Sequence, residues 1–432
     1  MQVEFPYGRG TVTGSVPWAR CLGVLDVVPA APLPDVPRAL RDGLQHPIGT
    51  PAPLLEPVGR GHRVLIIVSD SFRQTGIAQC LPALIEALAQ QGVCDTGIRF
   101  LVATGIHRAP TEEELTAILG PEMHARFRAR VACHDAHDAA GLVDVGTTSR
   151  GTRVQVNRAA VDADHVIVTG TTVLHYFAGF GGGRKSIVPG ISSAGTISQN
   201  HSLNLDPVTG ELNPDVRIGR LDGNPVAEDQ LEAARMVRTT GMINTVLNRD
   251  SAIAGLFVGE LEAAHRQAAA FALRTFAAPV EERADLVIAA AGPRKNFVQA
   301  HKALFNAYQA VKPNGRIVFI ARCEEGLGGQ QFEKWLRLGS RSAIIEGLRR
   351  RSEINGQTAL STLEKAPIAW FVTDLPPEDV AALHARRAVS LEDALERARQ
   401  ELAAAGTSNP TCYIMPQAAC SVPFLGATPR LD

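Results

Sequence analysis

This chain of 432 residues contains no apolar run close to the ~18 residues that a membrane-spanning helix requires, so no span is expected. It has no excess of one charge: 43 Lys and Arg stand against 44 Asp and Glu, a net charge of −1. That balance argues against general nucleic-acid binding, which needs a basic surface to displace counterions from phosphates. Its seven cysteines form no CxxC pair, and the number is odd. They read as reduced, mostly buried thiols rather than a disulfide or zinc framework. The first residues, Met-Gln-Val-Glu-Phe-Pro-Tyr-Gly, have neither the basic start nor the apolar core of a secretory signal. A cytoplasmic protein is the expectation. Also missing are HxxxH and HExxH metal patterns, internal repeats and low-complexity tracts.

What is present is an ordinary globular composition, 45% hydrophobic and 20% charged, in a chain longer than one typical core. Two domains are therefore expected. Short continuous apolar runs (63–69, 98–103, 165–170, 284–290 and 315–320) alternate with helix-length segments. This is the pattern of βαβ units around a buried parallel sheet. The fold class is read as α/β, with two α/β domains and the active site in the cleft between them. The first domain spans 1–275 and binds a cofactor; the second spans 276–411. The tail, 412–432, is expected to return to the first.

In such sheets, ligands gather at the carboxyl ends of strands. The richest run lies there: His175-Tyr176-Phe177-Ala178-Gly179-Phe180-Gly181-Gly182-Gly183-Arg184-Lys185-Ser186. Glycines let backbone N–H groups close on a phosphate, and Arg184 and Lys185 would neutralise it. A Walker A loop demands a second glycine where this chain has Arg184, so a triphosphate loop fits poorly.

Other strand ends add polar groups. After the first strand come Asp70, Ser71, Phe72 and Arg73. Arg73 could clamp a carboxylate and Asp70 hold ribose hydroxyls, or Asp70 could cap a helix. His107 follows Thr104-Gly105, ahead of a capping-box pattern at Thr111 and Glu114. Alone it reads as structural; with His175 it makes a pair of bases able to serve two faces of one carbon. His201 offers one imidazole to a metal whose other ligands must come from elsewhere. His134 and His137 read as a surface loop. Gln299 and Lys302, three apart, face one way on a helix, as a substrate contact or as a solvated face.

Taken together, Asp70-x-x-Arg73, Thr104-Gly105-Ile106-His107-Arg108, His175 to Lys185, Asn200-His201 and Gln299-x-x-Lys302 resemble, in order, the nickel-pincer lactate racemase family. The resemblance covers roughly residues 60 to 310. It implies a nickel-pincer nucleotide cofactor, a pyridinium-3-thioamide-5-thiocarboxylate mononucleotide carrying Ni(II). Asp70, Ser71, Phe72, Arg73, Gly182, Gly183, Arg184 and Lys185 would contact this cofactor, and Lys185 can be joined to it covalently. His201 would ligate nickel. His107 and His175 would be the acid/base pair, and Arg73, Gln299 and Lys302 would orient the substrate. The implied activity inverts the hydroxyl-bearing carbon of a small 2-hydroxy acid by hydride transfer. Separate cofactor-making enzymes would be the implied partners. Lactate-specific members have an aromatic residue before the glutamine, where this chain has Val298. They also place a tryptophan in the second domain that has no counterpart near Asn355–Ala359. A substrate other than lactate, or larger, is expected. The alternative is an ATP- or NAD-binding enzyme that uses the glycine loop without nickel.

Overall fold

The computed structural model describes residues 1–8, 10–206 and 208–426 and separates into two compact α/β units. One comprises Pro29–Val208 and Leu212–Thr275; the other comprises Met1–Val28, Thr209–Glu211 and 276–426.

The first unit is built on a six-stranded sheet in the order Ile253–Gly259, Gly241–Leu247, His165–Thr171, Val64–Ser69, Ile98–Ala103, Val131–Cys133. All neighbours are parallel except the edge strand Ile253–Gly259. The apolar runs are continuous because both faces are covered. Alternate side chains of Val64–Ser69 point to opposite sides. Val64, Ile66 and Val68 pack with Leu40, Leu84 and Leu88 from helices Val36–Gln45 and Leu81–Gln90. Leu65 and Ile67 pack with Ala233, Ala234 and Leu261 from helices Pro225–Arg235 and Leu261–Phe276. The chain runs outward from Val64–Ser69 to one edge, then returns to lay His165–Thr171 on the other side of it. The reversal makes the gap between these two strands a topological switch point, the place where loops diverge and ligands bind in sheets of this kind.

The second unit holds a six-stranded parallel sheet in the order Arg386–Ala388, Ala369–Val372, Val311–Ile320, Ala284–Ala290, Thr411–Met415, Arg20–Val24. Two parts of the domain expectation are corrected here. The tail strand Thr411–Met415 lies beside Ala284–Ala290 instead of returning to the first domain. Asp285 fastens it there, accepting from Thr411 N at 2.9 Å and Thr411 Oγ1 at 2.8 Å. Residues 1–28 likewise belong to this unit. Arg20–Val24 pairs with the tail strand, and Val3 and Phe5 enter its core beside Leu391 and Leu395. Residues 427–432 of the expected tail lie outside the described residues.

The first unit's core depends on large buried rings. Phe100 is 1% exposed and meets Phe127 edge-on at 5.3 Å between centroids. Phe100→Ala is expected to cost ~3–5 kcal/mol through lost burial and a cavity. Urea denaturation followed by circular dichroism measures it, and a loss under 1 kcal/mol would contradict this account of the packing.

Candidate active site

The switch-point loops of the first unit carry most of the sequence-selected residues, beginning at the carboxyl end of Val64–Ser69. Asp70 follows that strand and is 3% exposed. It does not cap a helix, since the next helical turn starts only at Ile77. Its Oδ1 accepts from Phe72 N at 3.2 Å, and its Oδ2 lies 2.6 Å from His107 Nδ1. Arg73 is exposed, its backbone N–H donating to Asp70 O at 3.2 Å. Ser71 is half-buried and Phe72 is exposed, with its ring 4.7 Å from that of His107.

His107 sits on the turn after Ile98–Ala103, ahead of the helix Glu112–Leu119. The expected capping box is present, with Thr111 accepting from Glu114 N and Glu114 accepting from Thr111 N. Arg108 grips Glu114 with two bonds of 2.7 Å. That grip holds the Glu114 carboxyl down at about 2, chiefly through the hydrogen bond from Arg108. A backbone bond from Gly105 N to Gly190 O, 2.9 Å, joins this turn to the segment behind the glycine loop.

The glycine run forms a small hairpin in which Leu174–His175 pairs antiparallel with Gly179–Phe180. His175 is buried and stacks on Tyr176, with ring centroids 5.1 Å apart and planes 10° apart. Its Nδ1 accepts from the backbone N–H groups of Phe177 and Ala178, both at 3.2 Å. Beyond the hairpin the chain turns at Gly182 and Gly183, with φ of 73° and 53°. A Cβ at Gly182 would come within 2.3 Å of Asn244 Nδ2, and one at Gly183 within 2.7 Å of the His265 ring. Both positive φ and close packing therefore demand glycine.

Arg184 departs from expectation. The sequence suggests a guanidinium aimed at phosphate, but this one is 3% exposed and turned into the protein. Its Nη2 donates to Ala178 O at 2.8 Å, its Nε to Ala227 O at 3.1 Å, and its Nη1 to His265 Nδ1 at 3.3 Å. His265 Nε2 in turn donates to Gly181 O at 2.8 Å. Burial lowers the pKa of both groups, His265 to about 3. Lys185, the neighbouring cation, is half-buried.

His201 lies in helix Ala194–Ser202, which Ser193 caps by accepting from Thr196 N at 3.1 Å. Its neighbour Asn200 anchors the helix by donating to Asp229 Oδ2 at 2.9 Å and Val226 O at 3.1 Å. The His201 ring is 6% exposed and meets Phe177 edge-on at 4.9 Å. Burial first, and then the charge of Lys185, lower its pKa to about 3. Its Nδ1 is buried without a hydrogen-bond partner. Such an orphaned, neutral nitrogen is unfavourable unless something else takes its lone pair. Among the described residues, no three His, Cys, Asp or Glu side chains gather as a metal site.

Gln299 and Lys302 belong to the other unit, exposed on helix Phe297–Ala310. Asn296 caps that helix, and Gln299 Oε1 accepts from Lys295 N at 3.3 Å. His134 is not the surface residue expected. It is 3% exposed, with Nε2 donating to Ser192 O at 2.9 Å; His137 is exposed. Sequence reasoning missed Asn244, Thr172 and His265, which pack behind the glycine turn, Asn244 Nδ2 donating to Thr172 Oγ1 at 2.8 Å. His265 lies in an Ala-rich helix, so its pattern reads as core.

Comparison with known proteins places the chain in a family. A family model described as the lactate racemase N-terminal domain matches residues 7–210, and one described as the lactate racemase C-terminal domain matches residues 280–417. The lactate racemase of Lactiplantibacillus plantarum is 31% identical over 423 residues, covering 92% of this chain and 94% of that one. The lactate racemase of Thermoanaerobacterium thermosaccharolyticum is 30% identical over 341 residues, 78% of each chain. The solved lactate racemase apoprotein from the latter organism superposes with a TM-score of 0.85 at 26% identity, covering 98% of this chain and 100% of that one. A crystal structure of a Thermotoga maritima protein, 18% identical, shares the fold with a TM-score of 0.66 over 92% of this chain and 100% of that one. With both domain models matched and relatives aligned along most of its length, this chain belongs to the lactate racemase family, whose named members are isomerases.

Proposed function

We propose that this protein inverts the hydroxyl-bearing carbon of a 2-hydroxy acid with the help of a nickel-pincer nucleotide. The observation that carries the reading is His201, a buried imidazole kept neutral, whose Nδ1 has no hydrogen-bond partner among the described residues and whose ring feels the charge of Lys185. Neutral imidazole is the form that ligates nickel. With no group of three His, Cys, Asp or Glu side chains able to hold a metal among the described residues, the remaining donors suit a cofactor that brings its own. Lys185 is the residue to hold that cofactor covalently, with Ser71, Phe72, Arg73, Gly182 and Gly183 around it. Arg184 supports the loop from behind. When bound, the cofactor would supply an acceptor for the hydride on the substrate's hydroxyl-bearing carbon.

The chain's own residues handle the rest. Arg73, Gln299 and Lys302 are assigned to the substrate carboxylate and the developing carbonyl, where cations and an amide stabilise negative charge. His107 and His175 take the proton from the hydroxyl oxygen and return it. Lactate is the substrate named for the relatives. Here Val298 favours a bulkier 2-hydroxy acid; the missing tryptophan carries no weight, because Trp335 packs against Gly356. The nucleotide alternative is not favoured, because one of the two cations that would neutralise a phosphate, Arg184, has its guanidinium bound to Ala178 O, Ala227 O and His265.

Protein co-produced with the cofactor-making enzymes is expected to carry about one nickel per chain and an added mass that disappears in Lys185→Ala. His201→Ala should lose the nickel. Elemental analysis and intact mass spectrometry decide this, and nickel-free wild-type protein would refute the cofactor assignment. His107→Ala and His175→Ala should each retain nickel yet turn over ~100-fold more slowly or worse in both directions, the usual worth of a general acid or base. In Val298→Phe the kcat/KM ratio should shift by ~10-fold towards lactate over larger 2-hydroxy acids, in keeping with the effect of pocket volume on selectivity. An unchanged ratio would remove Val298 from the specificity account.

A further inference from the structure

We propose that Asp70 is a positioning residue that keeps the His107 proton on Nδ1, while the backbone keeps the His175 proton on Nε2, so the two histidines start the reaction in opposite roles. This rests on the reading above that both histidines handle the hydroxyl proton.

Each half follows from partners whose roles cannot be exchanged. A carboxylate only accepts hydrogen bonds. With Asp70 Oδ2 2.6 Å away, His107 Nδ1 must donate, and the lone pair is left on Nε2. Asp70 is itself held: it is 3% exposed, and its other oxygen accepts from Phe72 N at 3.2 Å. The carboxylate therefore does not swing away to a ligand without breaking both bonds. The His107 side chain remains 39% exposed, with one face against Phe72, so its free nitrogen is open to a substrate.

His175 is the reverse case. Two backbone N–H groups, of Phe177 and Ala178, point at its Nδ1. Backbone amides only donate there, so Nδ1 must accept and the proton sits on Nε2. The Tyr176 ring stacked alongside keeps the imidazole from turning over. Behind it, Arg184 Nη2 donates to Ala178 O and Asn224 Nδ2 donates to Phe177 O at 3.1 Å, fixing the turn that carries both N–H groups. His107 thus presents a lone pair on Nε2, whereas the His175 ring carries its proton there. At rest the enzyme is set to remove the hydroxyl proton from the enantiomer presented to His107. Asp70, which the family resemblance assigns to the cofactor, is instead assigned to that base.

The test begins with the cofactor-free full chain labelled with 15N-histidine. Ring-nitrogen NMR shifts at pH 8 separate the two tautomers, and His107→Gln and His175→Gln identify the signals. The expected result is His107 protonated at Nδ1 and His175 at Nε2, with Asp70→Asn abolishing the preference at His107 and leaving that at His175. In cofactor-loaded enzyme, Asp70→Asn should lower kcat ~100-fold or more with KM changed under ~3-fold, while Asp70→Glu restores part of the rate. Because both directions share one equilibrium constant, kcat/KM must fall by the same factor in each. Circular dichroism confirms that the variants are folded. The proposal is overturned if wild-type His107 carries its proton on Nε2 or wild-type His175 on Nδ1, or if Asp70→Asn leaves the His107 tautomer or the rate unchanged. If the tautomers come out as expected but loaded wild-type enzyme inverts no 2-hydroxy acid, the assigned reaction falls and the Asp70–His107 pairing stands.

Discussion

The candidate site depends most on a cation that is not aimed at any ligand. Arg184 lies buried among Ala178 O, Ala227 O and the His265 ring. Taking a guanidinium out of water costs several kcal/mol unless its donors are satisfied. Here the acceptors come from the hairpin turn, from helix Pro225–Arg235 and from helix Leu261–Phe276. Satisfying one charge thus forces three separate pieces of chain into fixed relation. His265 extends the effect by donating to Gly181 O. The hairpin that carries His175 is rigid for this reason, although it is rich in glycine.

From that anchor the chemistry of the loops follows. With the turn fixed, the N–H groups of Phe177 and Ala178 meet His175 Nδ1, and the Phe177 ring packs edge-on against His201. On the neighbouring strand end, Asp70 and His107 are paired. The Gly105–Gly190 bond ties the two regions through the backbone. Each imidazole thereby has a distinct setting: a carboxylate at one, backbone donors at another, apolar burial at the third. The same residue type is given three different electrostatic surroundings.

Burial explains why some expectations needed correction. His134 looked like a loop residue because acids and a second histidine flank it, yet its ring is sealed over by Ser192 and Asn157. Proximity in sequence puts the N-terminal strand in the first domain, and the tail is expected to return there, whereas strand pairing joins Arg20–Val24 to Thr411–Met415 across nearly the whole chain in the second unit. Parallel strands leave similar apolar signatures whichever sheet they enter, so nothing local distinguishes the two destinations.

The sequence by itself determined what local physics controls. Continuous apolar runs marked the buried parallel strands, the Thr111 and Glu114 spacing marked a helix start, and polar residues marked the carboxyl ends of the strands. Glycines at 182 and 183 signalled a turn no other residue could make. Only the tertiary structure decided which way the charged groups face. Arg184 and Lys185 are adjacent in the chain, but one is turned into the protein and the other is half-exposed. Asp70 and His107 lie 37 residues apart and meet because two parallel strands end side by side. Partners of this kind are set by strand order and burial, and neither is written in the spacing of the residues concerned.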